Sequence, residues 1–407
     1  MTMKPISLFL LVGACTEVED APLSWDNPWD DMDRDDDGWE RADGDCDDHT
    51  PSIHPGATDL EGDDADSNCD GVDGVDSDGD RHAESSDCDD TEPTIYNGAP
   101  EVGWDGIDQD CDGLDLRDYT LVTTGGFHSC ALGSDGHVDC WGADEHGQST
   151  ASTALFVDVS AGRYHTCGVT TTGEVSCWGI DDGSVDDAGQ VTGAPTTASW
   201  DKVAAGALHS CAVDTSGNVE CWGIDDGGMG DHGQTTDVPA GVFTEIAANL
   251  GHSCALDDSS LPVCWGIDDS SHGDHGQVTN TPDSGEYTQI SAGTHHSCAL
   301  GSDEKVKCWG VFGGAYDFGQ VRYGPKSNYT SLDCGDYHSC SVSVYGWLYC
   351  WGITNEGPLD YGQVRYWPGG DDYQQVSAGS FHSCVLRTNG TIYCWGRDEE
   401  GQSTPPS

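Results

Sequence analysis

The chain has 407 residues, and its charge is extreme, because 74 acidic residues against 14 basic ones give a net charge of −60. A surface this acidic repels nucleic acids and anionic lipid headgroups and attracts cations, so the composition disfavours nucleic-acid binding. Twenty cysteines beside only four methionines predict disulfide bonds and therefore an oxidising compartment.

The N-terminus has the features of an export signal. Lys4 precedes a short apolar run over residues 6–14, and Val-Gly-Ala-Cys at 12–15 resembles the bacterial lipobox, whose cysteine becomes the lipidated first residue. The run is too short to span a bilayer. We therefore predict a signal peptide over 1–14, lipidation at Cys15 and an acidic tether over 15–32. The chain would then be a lipoprotein of the bacterial outer membrane or cell surface, or otherwise secreted, and would contact membrane only through its lipid anchor.

Residues 33–115 form a tandem duplication. The segment DCDDHTPSIHPGA at 45–57 recurs as DCDDTEPTIYNGA at 87–99, and each copy has two cysteines 23 residues apart. We assign the copies to 33–73 and 76–115. Few apolar residues lie between the aspartates, so neither copy can bury much core. Disulfides and metal ions are expected to stabilise this small, irregular region.

Alternating aspartates in both copies predict calcium sites, because carboxylates at alternate positions of a turning backbone supply several oxygen ligands to one hard cation. In the second copy His82 stands at position 7 of such a loop, where a backbone carbonyl would bind, and Asp87 stands at position 12. Aspartates just after the first cysteine of each copy could complete the shells. The candidate ligands are Asp33, Asp35, Asp37, Asp45, Asp47 and Asp48 in the first copy, and Asp76, Asp78, Asp80, Asp87, Asp89 and Asp90 in the second.

The copies also resemble the MopE-type metal-binding repeats of exported bacterial proteins, in the successive elements GDCDD, PGA and CDG and their second version SDCDD, NGA and CDG. The name-giving member of that family binds copper, which makes copper the alternative ion. We favour calcium because aspartate oxygens are hard ligands. The family often has a further cysteine before the later Asp-Gly, where this sequence has Gly62 and Trp104. The pairs that we predict are Cys46–Cys69 and Cys88–Cys111.

From residue 119 onward the sequence contains seven repeats. Each has a His-Ser/Thr-Cys, then a Cys-Trp-Gly, then a Gly-Gln, and its two cysteines are ten residues apart. Runs rich in Val, Ala, Thr and Leu alternate with Asp-Gly, Asn-Gly or Ser-Gly turns, without a helical period. Seven units of this kind predict an all-β fold, a seven-bladed β-propeller over 119–407, because radial closure protects the sheet edges.

The cysteines of each repeat are placed symmetrically about a turn, as Cys130 and Cys140 are about Asp135. In a hairpin centred there they face each other on adjacent strands, within reach of a disulfide. Because the set occurs once per blade, a catalytic or metal-binding role for it is disfavoured. The predicted pairs are Cys130–Cys140, Cys167–Cys177, Cys211–Cys221, Cys254–Cys264, Cys298–Cys308, Cys340–Cys350 and Cys384–Cys394.

The seven-fold unit resembles the repeat of the regulator of chromosome condensation family, in the small-Ala-Gly before the histidine (SAGRYHTC, SAGSFHSC), the Trp-Gly and the closing Gly-Gln. The resemblance implies a seven-bladed propeller whose repeated histidine is a scaffold residue, and we expect it to bond the backbone in each blade. The founding member is a nucleotide-exchange factor that docks on chromatin, but an acidic exported chain shares only the scaffold with it. Cys334, outside the pairs, is expected to be a small buried filler, with a free reactive thiol as the alternative.

The segments between Trp-Gly and Gly-Gln are short in the first and last repeats and longer in the middle five, where three are acidic and two contain aromatic residues. Equivalent loops project from one face of a propeller, so we predict a surface there that binds a protein or glycan. Asp231 with His232, and Asp274 with His275, could hold a further cation. The candidate contact residues are Phe312, Tyr316, Phe318, Tyr361, Tyr366 and Trp367.

Three functions are considered. The first hypothesis is a non-enzymatic exported binding protein, in which a calcium-stabilised spacer presents the propeller. The second is a secreted protein inhibitor of an enzyme, which would need a tight partner seated on the same face. The third is a hydrolase, which the sequence disfavours because it offers no unique Ser/His/Asp set or pair of carboxylates.

Overall fold

The structure is a computed structural model that describes residues 32–60, 65–100, 107–111, 118–197, 199–228, 230–271 and 273–406. The predicted signal peptide, Cys15 and nearly all of the tether lie outside the described residues. The chain separates into two compact units, one formed by Met1–Val102 with Ile107–Leu114 and the other by Gly103–Gly106 with Asp115–Ser407. In the part that the structure describes, no helix is long and apolar enough to cross a membrane.

The first unit is held mainly by interactions other than apolar packing. Its described residues contain one regular element, the 3-10 helix Arg41–Asp43, and the rest of them form turns and loops. The disulfides Cys46–Cys69 and Cys88–Cys111 join Cα atoms 5.6 and 5.9 Å apart, and they are the predicted pairs. They cross-link a fold whose buried apolar side chains are few and small.

Strands build the second unit, which consists of seven three-stranded antiparallel sheets, each made from three consecutive strands. The first strand of each sheet lines a central channel and the third is outermost. The strands are β1 Tyr119–Thr124, β2 His128–Gly133, β3 Val138–Gly142, β4 Phe156–Ala161, β5 His165–Thr170, β6 Val175–Gly179, β7 Trp200–Ala205, β8 His209–Asp214, β9 Val219–Gly223, β10 Phe243–Ala248, β11 His252–Asp257, β12 Pro262–Gly266, β13 Tyr287–Ala292, β14 His296–Gly301, β15 Val306–Gly310, β16 Tyr329–Cys334, β17 His338–Ser343, β18 Leu348–Gly352, β19 Tyr373–Ala378, β20 His382–Arg387 and β21 Ile392–Gly396.

The paired cysteines face each other across the outer hairpin of every blade. Cys130 is in register with Cys140, with Cα atoms 4.0 Å apart, and the other six pairs lie at 4.0 or 4.1 Å. Each bridge closes a ten-residue separation, for which the chain-entropy model gives about 2–3 kcal/mol. The spacing of the cysteines therefore predicted a real cross-strand staple in each blade.

Two repeated glycines allow close approaches that a side chain would block. Gly142, in the Trp-Gly of blade one, has φ 103°, and a Cβ there would lie 2.7 Å from the carbonyl oxygen of Phe127. Gly125 directly follows the inner strand of the same blade, and a Cβ there would lie 2.2 Å from the carbonyl oxygen of Gly162 in blade two. The Trp-Gly and small-Ala-Gly motifs are thus explained by steric contact within and between blades.

The same side-chain hydrogen bonds join neighbouring blades at all seven interfaces. The repeated histidine contacts, through Nε2, the repeated Ser or Thr hydroxyl of the following blade at 2.6 to 2.8 Å. The tryptophan of that following blade donates from Nε1 to the carbonyl of the Gln that closes the preceding loop, at 2.6 to 3.1 Å. Since His382 bonds Ser129, and Trp141 bonds Gln402, blade seven joins blade one and the ring is closed.

The prediction that the repeated histidine bonds the backbone is wrong, because its partner is a hydroxyl of the next blade. At the first interface, the Thr166 hydroxyl donates to the Gln148 carbonyl at 3.1 Å, so His128 must be the donor in its own bond to Thr166. The unprotonated Nδ1 of His128 packs against Gly125. Burial lowers the pKa of His128 to about 4, so its imidazole is neutral at pH 7.

Candidate metal clusters and binding surface

The alternating aspartates of the first unit converge into two equivalent clusters. In each of the sets Asp33, Asp35, Asp37 and Asp76, Asp78, Asp80, carboxylate oxygens lie within 4.8 Å of one another. Asp33 shapes the first loop, because its carboxylate accepts the backbone N–H groups of Asp36 at 2.7 Å and Gly38 at 2.9 Å. In the second loop the Asp76 carboxylate likewise accepts the backbone N–H groups of Gly79 at 2.6 Å and Arg81 at 2.9 Å.

Both clusters leave buried carboxylate oxygens without a partner among the described residues. In the second and third aspartate of each set one oxygen accepts a backbone N–H, and the other is buried without a hydrogen bond. Asp45 and Asp87, the ligands predicted at the end of each loop, are 2 and 8 % exposed. Each also has one oxygen that accepts a backbone N–H and one that is buried without a hydrogen bond. The unpartnered oxygens are Oδ2 of Asp35, Asp37 and Asp45 in one copy and of Asp78, Asp80 and Asp87 in the other.

These oxygens fit a hard cation. Burial raises the pKa of Asp35, and the carboxylates of Asp37, Asp45 and Asp33 raise it further, against the lowering effect of one backbone hydrogen bond. Burial also raises the pKa of Asp78, and the carboxylates of Asp80, Asp87 and Asp76 raise it further, against one backbone hydrogen bond. Like charges held this close favour the binding of a cation that neutralises them, and all six unpartnered atoms are oxygens of the kind that Ca²⁺ takes as ligands.

Four predicted ligands lie outside the two sets of converging aspartates, because their carboxylates accept other hydrogen bonds. Two of them nevertheless reach the loops, since Asp48 accepts the backbone N–H of Arg34 at 3.3 Å and Asp90 accepts that of Ser77 at 3.2 Å. Asp47 and Asp89 accept the hydroxyls of Thr50 and Thr91 at 2.9 and 2.6 Å, Asp48 pairs with Arg34 at 3.4 Å, and Asp90 accepts the hydroxyl of Ser77 at 2.6 Å.

The residue at position 7 of each loop is held by a stacked ring. Trp39 stacks on His54 with ring centroids 6.1 Å apart, and His82 stacks on Tyr96 at 4.1 Å. The stacking partners come from equivalent places in the two copies, so the backbone at position 7 is fixed in the same way twice. The sequence indicated position 7 but not its stacking partner.

A third acidic cluster, formed by Asp59, Asp66 and Asp70, was missed. The signal for it was present in the alternating pattern Asp-x-Asn-x-Asp over 66–70. Its carboxylates are saturated by the protein, since the two oxygens of Asp59 accept the N–H groups of Ser67 and Gly74, and Asp66 and Asp70 likewise accept N–H groups. This cluster therefore stabilises the loop in which it lies.

In the propeller, the loops after the third strands and the turns between the first and second strands share one face, here called the loop face. The five long loops are stapled internally, as in blade three, where the Gln234 side chain accepts the N–H of His232 and donates to the carbonyl of Gly230. Asp231 accepts two N–H groups of the same loop, and Asp274 does so in the next blade. These two aspartates are therefore engaged in loop structure, contrary to the idea that they hold a cation.

The predicted contact residues divide between surface and core. Phe312 and Tyr366 are 72 and 70 % exposed, and Tyr316 and Tyr361 are partly exposed. Phe318 and Trp367 pack against an apolar cluster that includes Val364 and Trp395. The aromatic loops thus supply both a surface and part of the support beneath it.

The structure reveals an aromatic surface that sequence reasoning missed in large part. Half-buried rings stand just before the repeated histidine in four blades, and the loop aromatics join them into a contiguous group. Successive ring centroids lie 5.5 to 6.3 Å apart. We call this group the aromatic crescent; its members are Tyr164, Phe127, Phe381, Tyr361, Tyr337 and Phe318.

Two arginines lie on the crescent. The guanidinium of Arg163 is 5.4 Å from the ring centroid of Tyr164, and that of Arg397 is 5.2 Å from the centroid of Phe127. Arg397 is also bonded to Glu399 at 2.8 Å, whereas Arg163 is exposed. Arg163 borders a cavity of about 250 Å³ that forms the mouth of the central channel. The loop face therefore combines rings and arginines on one side with exposed acidic loops in blades two to four.

Comparisons with known proteins agree with the division of the chain into a metal-binding region and a propeller. A family profile described as "Regulator of chromosome condensation (RCC1) repeat" matches residues 119–148, 156–184, 200–234, 287–313 and 373–402. A second profile, described as "Putative metal-binding motif", matches residues 45–78 and 87–115. No curated protein sequence matches the chain.

Solved structures resemble the propeller. The ectodomain of the Physcomitrella patens receptor kinase CR4 is 22% identical, with a TM-score of 0.52, and the match covers 69% of this chain and 74% of that one. The ectodomain of the Arabidopsis thaliana receptor kinase ACR4 is 23% identical, with a TM-score of 0.52 and coverage of 69% and 98%. Human WBSCR16 is 18% identical, with a TM-score of 0.52 and coverage of 67% and 88%. These likenesses show the fold alone, and together with the profiles they identify a propeller with regulator of chromosome condensation repeats, preceded by two metal-binding motifs.

Proposed function

We propose that the chain is an exported, surface-anchored binding protein without enzymatic activity, whose propeller binds a protein or glycan through its loop face. The observation that carries this proposal is the aromatic crescent with Arg163 and Arg397. Tyrosine and arginine in a well-packed group are typical of the residues that dominate protein interfaces, which favours a protein as the partner.

The binding surface is rigid, which lowers the entropy cost of association. Phe127, Tyr164, Tyr337 and Phe381 each directly precede a buried histidine of the inter-blade network. Their backbone is therefore held by the blade interfaces, and the disulfides staple the hairpins behind them. A partner would meet a preformed surface with apolar rings on one side and negative loops on the other.

The first unit would bind calcium at its two equivalent clusters. Six buried carboxylate oxygens without partners support a hard cation over copper, for which nitrogen or sulfur ligands would be expected. Asp35, Asp37 and Asp45 would hold one ion, and Asp78, Asp80 and Asp87 the other. Calcium would stabilise a unit that has little apolar core, so that it serves as a spacer in front of the propeller.

Export and anchoring complete the proposal. The nine disulfides among the described residues are compatible with an oxidising compartment and would be reduced in most cytosols. Cys15 would carry the lipid, with the acidic stretch after it as the tether. Replacement of Cys15 by Ala should release the protein from the membrane fraction, and retention of the variant there would contradict the anchor.

Binding at the loop face is tested by affinity capture with the ectodomain, residues 16–407, in the presence of calcium. A Tyr361→Ser and Phe381→Ser double variant should lose at least about tenfold in affinity for the captured partner, since buried interface aromatics contribute about 2 kcal/mol or more. The matched control is Tyr345→Ser with Trp347→Ser, two exposed aromatics in the turn between β17 and β18, on the opposite face. A partner bound equally well by the first variant, or lost only with the control, would overturn the proposed surface.

A further inference from the structure

Two histidines on the loop face form a close pair. His275 lies in the loop after β12 of blade four, and His295 lies in the turn between β13 and β14 of blade five. Their ring centroids are 4.8 Å apart, with the planes at 76°. The ring of Tyr316 packs on both, at 4.5 Å from His295 and 5.8 Å from His275. Three chain segments from two blades thus bring two imidazoles together.

Each imidazole has a buried nitrogen that lacks a hydrogen-bond partner among the described residues, Nε2 in His275 and Nδ1 in His295. His295 is only 8 % exposed, so water does not readily compensate for the missing bond. A ring nitrogen that takes part in no hydrogen bond leaves the lone pair of a neutral imidazole available to a metal cation.

The neighbouring repeated histidine, His296, also has an unpartnered Nδ1, but its surroundings differ. A Cβ placed on Gly293 would lie 2.7 Å from that nitrogen, so backbone closes over it and leaves no space for an ion. In the pair, by contrast, the unpartnered nitrogens belong to two adjoining rings, one of which, that of His275, is partly exposed. Asp274, beside His275 in sequence, contributes no ligand there because its carboxylate binds the N–H groups of Ser270 and Gly276.

We propose that His275 Nε2 and His295 Nδ1 bind one transition-metal cation of borderline hardness, of the class of Zn²⁺. Neutral imidazole nitrogens are preferred ligands of such ions, and water or a partner's side chain would occupy the other coordination positions. Tyr316 is a positioning residue that holds both rings. The acidic surface raises the local concentration of cations. This site differs from the proposed calcium sites in its unit, its donor atoms and its ion.

The test is calorimetric titration of the ectodomain with Zn²⁺ in millimolar calcium, which is added to fill the proposed calcium sites. We expect one Zn²⁺ per chain to bind at this site, with affinity reduced at least about tenfold in both His295→Gln and His275→Gln. The matched control is His232→Gln, which removes a loop histidine one blade earlier that pairs with Asp269 at 3.3 Å. Near-ultraviolet circular dichroism identifies any variant that has lost its fold, and His275, the more exposed of the two, gives a second independent variant.

A second readout distinguishes ligation from a structural effect. In the Cu²⁺-loaded chain, electron paramagnetic resonance should show coupling to two imidazole nitrogens, and each His→Gln variant at the pair should remove one. Absence of Zn²⁺ binding in the wild-type chain would overturn the proposal. Equal affinity in the His295→Gln variant, or an equal loss in the His232→Gln control, would also overturn it. None of these outcomes depends on the partner of the loop face.

Discussion

Acid should destabilise the propeller through its ring of buried histidines. All seven side chains are fully buried, and burial lowers their pKa values to about 3 or 4. Each contacts a hydroxyl of the next blade through Nε2, as His209 does with Ser253 at 2.8 Å. A second proton on such a ring would place a charge inside the inter-blade contact, where glycine backbone surrounds the other nitrogen.

Proton linkage gives the direction and the size of this change in the free energy of unfolding. In the unfolded chain these histidines titrate at about pH 6.5, so below that pH the unfolded state binds protons that the folded state does not. The free energy of unfolding therefore falls as the pH is lowered from about 6.5 to the folded pKa values. One unit below pH 6.5 the loss is about 1.4 kcal/mol for each histidine, or about 10 kcal/mol for seven. That sum is comparable with the whole stability of a typical domain.

A single-blade variant isolates the effect. His209→Gln keeps an N–H that can donate to Ser253 and removes the titrating group. The free energy of unfolding is measured by guanidinium denaturation at pH 7.5 and 5.5, in calcium and without reductant. The difference between the two pH values should be about 1.4 kcal/mol smaller in the variant than in the wild-type chain. Ser216→Ala, at the exposed hairpin turn of the same blade, carries no titrating group; it is the matched control and should leave the difference unchanged.

An unchanged pH difference in His209→Gln, whatever the variant's stability at pH 7.5, would show that protonation of this histidine does not destabilise the propeller. A rise in the free energy of unfolding between pH 6.5 and 4 would likewise contradict the predicted acid destabilisation. In that case relief of the repulsion among the 74 acidic residues would outweigh histidine protonation.

Three further outcomes are expected. Asp35→Asn should weaken calcium binding to one of the two sites at least about tenfold in calorimetry, because it removes a carboxylate charge from the cluster, whereas Asp47→Asn, which lies outside it, should not. Cys334 should fail to react with a thiol reagent until the chain is unfolded, because burial raises its pKa to about 12; labelling of the native protein would contradict this. Gln234→Ala should cost about 1–2 kcal/mol in denaturation experiments and Gln402→Ala less, because the amide nitrogen of Gln234 has a carbonyl partner and that of Gln402 lacks a partner among the described residues.

Much of the fold was predictable because its determinants are local. A cysteine spacing of ten residues about a turn places Cys130 opposite Cys140 whatever lies around the hairpin, and seven copies in phase indicate a propeller. The same locality explains the Asp33 and Asp76 loops, whose ligands follow one another at alternate positions. Asp48 was predicted as a ligand, and its carboxylate instead accepts the backbone N–H of Arg34 and pairs with its guanidinium, a contact across 14 residues that only the fold brings about.

The sequence by itself determined the seven-fold repeat, the seven hairpin disulfides and the two aspartate loops, because each depends on the spacing of residues within one hairpin or one turn. Tertiary structure alone decided how the blades meet. The partner of His128 lies 38 residues away, and that of His382 lies 253 residues away, across the closure of the ring. The aromatic crescent and the His275–His295 pair arise in the same way, because neighbouring positions on a propeller face come from different blades, and radial closure, not chain order, sets their distance.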